Sequence, residues 1–136
     1  MKLELKEKLF TRFPWSIPDK SDTMSPWTQY TFECGDGWYQ ILWDMFTEIE
    51  EVYKNNGIKI KLTVGQIKQK FGELRVYIHD ALPEVNELIV KYQEISVKIC
   101  EGCGIESSIQ RRVHYWTTLC DDCYDKRIEE ARVGLG

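Results

Sequence analysis

Four of the five cysteines fall into two pairs, Cys100-x-x-Cys103 and, after sixteen residues, Cys120-x-x-Cys123. Thiols three positions apart in a tight turn can reach one ion together, and two such pairs close a tetrahedral four-sulfur shell, the chemistry of Zn2+. Gly104, directly after the first pair, suits a knuckle whose backbone amides fold toward the sulfurs. Four thiolates leave no position open for water, so the expected zinc is structural. Two disulfides are the alternative, but they need no paired spacing and a reducing compartment does not keep them. His114 lies between the pairs and adds nothing to a shell already full, and Cys34, remote from both, reads as a small buried thiol.

A second set of residues is chemical by charge. Residues 19–56 carry 2 basic and 8 acidic side chains, whereas 57–78 carry Lys59, Lys61, Lys68, Lys70 and Arg75 against Glu73 alone. Within the cationic part, "QIKQKFGELRVYIH" (66–79) reads as a β-hairpin. A two-residue type II′ loop at Gly72-Glu73 would set Phe71 opposite Leu74, Lys70 opposite Arg75 and Lys68 opposite Tyr77. Ile67, Phe71, Leu74, Val76 and Ile78 then form the core face, and Lys68, Lys70, Arg75 and Tyr77 the other. Opposed like charges cost a strand pair up to about 1 kcal/mol, so the face calls for a counter-charge. A phosphate-bearing ligand answers this, with Arg75 and the lysines on the phosphate and Tyr77 stacked on a ring. The plainer alternative is a solvated face whose lysines splay or pair with acids from a neighbouring helix.

Enzymatic patterns that use zinc or phosphate are missing. There is no His-x-Glu before Pro-Cys-x-x-Cys as in nucleotide deaminases, no His-Glu-x-x-His and no Walker-type glycine loop. His79 and His114 are the only histidines, too few for a histidine-rich nuclease site. A binding protein is expected.

These residues need elements to hold them. Residues 2–12 predict a short amphipathic helix stopped before Pro14, followed by a Pro- and Ser-rich loop over 15–26 and a strand over 27–34. "CGDGW" (34–38) reads as a turn with Asp36 capping a helix, whose apolar face is Trp38, Ile41, Leu42, Met45, Ile49, Val52 and Tyr53. "NNG" at 55–57 ends it. "IKIKLTV" (58–64) alternates as a half-buried strand, and Gly65 breaks the phase as a bulge would. A second amphipathic helix covers about 84–99, with Pro83 in its first turn. Strand-like sequence over 108–116 and a helix over 121–133 complete the order of a treble-clef finger.

The fold class that follows is α+β: an antiparallel β-hairpin packed on two amphipathic helices, with a C-terminal four-cysteine, treble-clef-like zinc finger. Residues 1–97 would form the body and 98–136 the finger packed on it. With 43% hydrophobic residues the chain can build a core. It holds no apolar run of membrane-spanning length and opens on a charged stretch, so a cytoplasmic protein with no membrane partner is expected. A net charge of −4 does not suit a DNA-coating protein.

"CGDGW", "KQKFGELRVY", "ICEGCG" and "LCDDC", in that order, resemble a set of small uncharacterised phage and prophage proteins. The resemblance covers most of residues 34–124 and implies an α/β body with a C-terminal four-cysteine element. It brings no activity with it. It implies a setting, the host cytoplasm, in which small proteins bind host factors, nucleic acids or nucleotide signals of defence. The leading expectation is thus a non-enzymatic, zinc-containing protein whose hairpin face takes an anionic, nucleotide-like molecule in a counter-defence role. A second is an inhibitor that docks on a host protein through Trp15, Trp27 and Trp116. Sequence-specific DNA binding by the finger is opposed by Asp121, Asp122, Asp125, Glu129 and Glu130 on its helix.

Overall fold

The computed structural model describes residues 1–18, 32–106, 109–112 and 116–135. The loop at 19–26, most of the strand expected at 27–34, Trp27 and His114 lie outside them. The fold is α+β, with four α-helices and two antiparallel two-stranded sheets among the described residues.

Helix α1 (Leu3–Arg12) ends where Pro14 restricts the residue before it, and Pro14–Ser16 forms a single 3-10 turn. A second 3-10 turn, Asp36–Trp38, leads into α2 (Tyr39–Asn55). Asp36 does not cap that helix; its carboxylate accepts the Lys2 backbone N–H at 2.7 Å and pairs with Lys2 Nζ at 3.8 Å. Ile41, Leu42, Met45, Phe46, Ile49 and Tyr53 form the buried stripe of α2, and Gly57, at φ +66°, turns the chain away after Asn56. Helix α3 (Pro83–Ser96) starts on its proline and packs against α2.

Strand β1 (Thr63–Lys70) pairs with β2 (Glu73–His79). The strand expected over 58–64 begins only at Thr63. Residues 58–62 are held to the end of α2 instead, by Ile58 N to Tyr53 O at 3.2 Å and Tyr53 Oη to Lys61 O at 3.0 Å. The bulge is present: the pairing shifts between Val64 and Ile67, around Gly65.

The hairpin register differs from the expected one. Phe71 and Gly72 form the loop, at φ +56° and +80°, the left-handed pair of a type I′ turn. Lys70 therefore faces Glu73, Gln69 faces Leu74, Lys68 faces Arg75 and Ile67 faces Val76. The inward position at the hairpin's end meets polar backbone, not core, and it is filled by Gln69, whose amide donates to Trp116 O at 2.8 Å. Phe71 is displaced to the tip, 61% exposed.

Both edges of this sheet are closed. Glu33 bridges to β1, its N–H reaching Ile67 O and its C=O taking Gln69 N–H. On the other side Leu74 N donates to Ser96 Oγ at 3.0 Å and Val76 N to Gln93 Oε1 at 3.3 Å, both from α3. Side chains of one helix thus satisfy amides that an open edge would offer to another strand.

The core gathers Leu9, Phe13, Phe32, Trp38, Phe46, Ile67 and Leu74, all fully buried. Each such side chain contributes about 1.5–3 kcal/mol relative to exposure. Trp15 joins this cluster, its ring 5.1 Å from Phe46 and 6.0 Å from Phe13. It is a packing residue here and no free anchor. No helix among the described residues is long and apolar enough to cross a membrane.

Candidate metal centre and hairpin face

The finger is built in the order its sequence suggests. A knuckle at 100–104 precedes β3 (Ile109–Arg112) and β4 (Trp116–Leu119), which pair antiparallel, and α4 (Asp121–Leu135) carries Cys123 in its first turn. The knuckle closes on itself through Cys100 N to Ile105 O at 2.8 Å and Gly104 N to Cys100 O at 2.9 Å. Gly104 takes φ +84°, which a side chain would resist.

The four sulfurs of Cys100, Cys103, Cys120 and Cys123 all lie within 4.8 Å of one another, and none is in a disulfide. A tetrahedral shell with zinc–sulfur bonds of about 2.3 Å has sulfur–sulfur edges of about 3.8 Å. Cys103 and Cys120 stand 3.8 Å apart, so the donor set fits a tetrathiolate metal centre. Amides already point at the sulfurs, with Cys120 N 3.2 Å from Cys100 Sγ and Cys123 N 3.5 Å from Cys120 Sγ. Burial resists ionisation of Cys100, but hydrogen bonds from the amides of Cys120, Cys103 and Gly102 outweigh it and bring the thiol down to about 6. Burial and the neighbouring sulfurs hold Cys123 well above the ordinary thiol value. Cys34 is buried, as expected, and burial pushes it up to about 12, the state of an inert thiol.

The body grips this knuckle through residues that the sequence marks only as a motif. A Cβ on Gly37 would sit 2.1 Å from Cys100 O and 2.6 Å from Gly104 N, and one on Gly35 would sit 2.3 Å from Glu101 O. Only glycine permits that approach. Across the contact Gly37 N donates to Glu101 O at 2.7 Å and Gly35 N to Glu101 Oε2 at 2.9 Å. Trp38 Nε1 donates to Ile99 O at 2.9 Å, and Thr118 Oγ1 donates to Gly72 O at the hairpin tip. Glu101, between the cysteines of the first pair, is buried, and that burial raises its pKa despite the Gly35 amide and nearby Arg127. Sequence alone offers no signal for this role of Glu101 beyond its place in "CEGC".

The structure leaves Lys68, Lys70, Arg75 and Tyr77 on the hairpin face turned away from Ile67, Leu74 and Val76, but in new partnerships. Arg75 still meets a like charge across the strands, but it is Lys68 and not Lys70. Arg75 also pairs with Glu73 at 3.1 Å through one terminal nitrogen, while its Nε is buried with no hydrogen-bond partner among the described residues. Lys70 lies over the Phe71 ring, 5.7 Å from its centre, and Tyr77 is 42% exposed. Phe71 is the residue that sequence reasoning misplaced; like the fully buried Phe32, it holds a left-handed backbone. Protein-family models, curated proteins and solved structures give no match to this chain.

Proposed function

We propose that the four cysteines hold a structural Zn2+ and that the chain is a non-enzymatic binding protein whose hairpin face takes a phosphate-bearing, nucleotide-like ligand. The observation that carries the reading is Lys68 facing Arg75 across the strands, two like charges on the face turned away from the core. Opposed like charges destabilise a strand pair by up to about 1 kcal/mol, and a phosphate oxygen is an acceptor of the right charge. Among the described residues Glu73 pairs with Arg75, and Lys68 forms no ion pair. Lys68 and Arg75 would hold the phosphate, Lys70 would add charge, and the exposed rings of Tyr77 and Phe71 would offer stacking surfaces. The zinc would fix the knuckle on which the hairpin tip rests, and would carry no chemistry of its own.

Calorimetric titration with a panel of nucleotides, with pyrophosphate as the ring-free probe, tests this. Lys68→Ala/Arg75→Ala is expected to weaken binding at least about tenfold, the loss of two charge-assisted bonds, with zinc content and circular dichroism unchanged. Equal affinity in the double variant would refute the assignment.

A further inference from the structure

Away from the hairpin face, a cavity of about 530 Å³ opens where α2, α3 and the knuckle meet. That volume suits a few side chains. Its floor includes Ile95 and Ile99, both half-buried, and its rim carries Asp36, Asp44 and Glu106. Among the described residues lining it the one basic side chain is Lys91, whose ammonium is 3.1 Å from each oxygen of Glu48, so its charge is already matched. Asp36 shares Lys2, whereas Asp44 takes only the neutral amide of Gln40 at 2.9 Å among its described hydrogen bonds. The groove therefore joins an apolar floor to a rim of net negative charge.

We propose that this groove binds an extended, arginine-bearing segment of a partner protein. Arginine matches both parts: its aliphatic stem lies on apolar surface while its guanidinium forks onto a carboxylate. The apolar floor also distinguishes such a segment from a bare cation, which would leave Ile95 and Ile99 without a role. The surface is separate from the hairpin, so peptide and anion would bind independently.

The test uses the metal-loaded full chain and a blocked pentapeptide alternating arginine and isoleucine, followed by NMR. Shifts centred on Ile95 and Ile99 are expected. Replacing arginine by citrulline, or introducing Asp44→Asn/Glu106→Gln, should weaken binding roughly tenfold, while Lys68→Ala/Arg75→Ala should bind the peptide normally. Shifts located elsewhere, no binding at millimolar peptide, or undiminished binding of the citrulline peptide or by the Asn/Gln variant would each overturn the proposal.

Discussion

Phe71 holds the least comfortable backbone of any side-chain-bearing residue in the hairpin. It sits at φ +56° with its ring 61% exposed, so neither local geometry nor burial favours it there. Asn-Gly is the preferred pair for a type I′ loop, and Phe71→Asn creates that pair ahead of Gly72. The variant is expected to gain about 0.5–1 kcal/mol, read as a higher urea midpoint at unchanged slope. It should also lose affinity for nucleotides while keeping that for pyrophosphate, since only the ring is removed. Higher stability together with weaker nucleotide binding would mark the strained, exposed ring as a binding residue, and higher stability alone would mark it as incidental.

At the scale of elements, a polar cluster joins α2 and α3 across their contact. Tyr92 Oη donates to Glu48, and Lys91 approaches the same carboxylate. The Tyr92 hydrogen bond is the main cause holding Glu48 below its ordinary value of 4.5; burial opposes it and Lys91 assists. A carboxylate depressed in the folded state adds stability above its unfolded pKa, and that stability is lost as pH falls through the lower folded value. Tyr92→Phe should therefore lower Tm at neutral pH and flatten the fall in Tm below about pH 4.5. The difference between variant and wild-type melting curves isolates the pair, because every other group is common to both. Parallel curves over that range would show that Tyr92 does not set the Glu48 pKa.

The molecule as a whole is bolted together at the knuckle. Gly35, Gly37 and Trp38 from the entry to α2, Gln69 and Gly72 from the hairpin, and Ile99, Glu101, Trp116 and Thr118 from the finger share one set of contacts. Metal affinity and folding are coupled where a site exists only in the folded chain. Chelation should thus do more than unravel the finger. It should lower the Tm of the entire chain by roughly 10 °C or more and alter the fluorescence of Trp38, whose indole is held by Ile99 O. A body that melts at its original temperature after metal removal would show finger and body to be independent.

The sequence by itself determined the main helices, the presence of the hairpin and the donor set. Two Cys-x-x-Cys pairs, the 3.6-residue periodicity of α2 and α3, proline at the start of α3 and the phase break at Gly65 are local signals, and local physics fixes them. What only the tertiary structure decided are matters of distant contact. The hairpin turns at Phe71-Gly72 because the inward place at its end meets Trp116 O, 47 residues on, and Gln69 can satisfy it. Asp36 leaves its capping role for Lys2, 34 residues back. "CGDGW" reads as a helix start, yet its glycines are required by a knuckle more than sixty residues downstream, where a single Cβ would stand 2.1 Å from a carbonyl oxygen. Such demands leave no periodicity in the chain, because they are set by which surfaces meet once the core has closed.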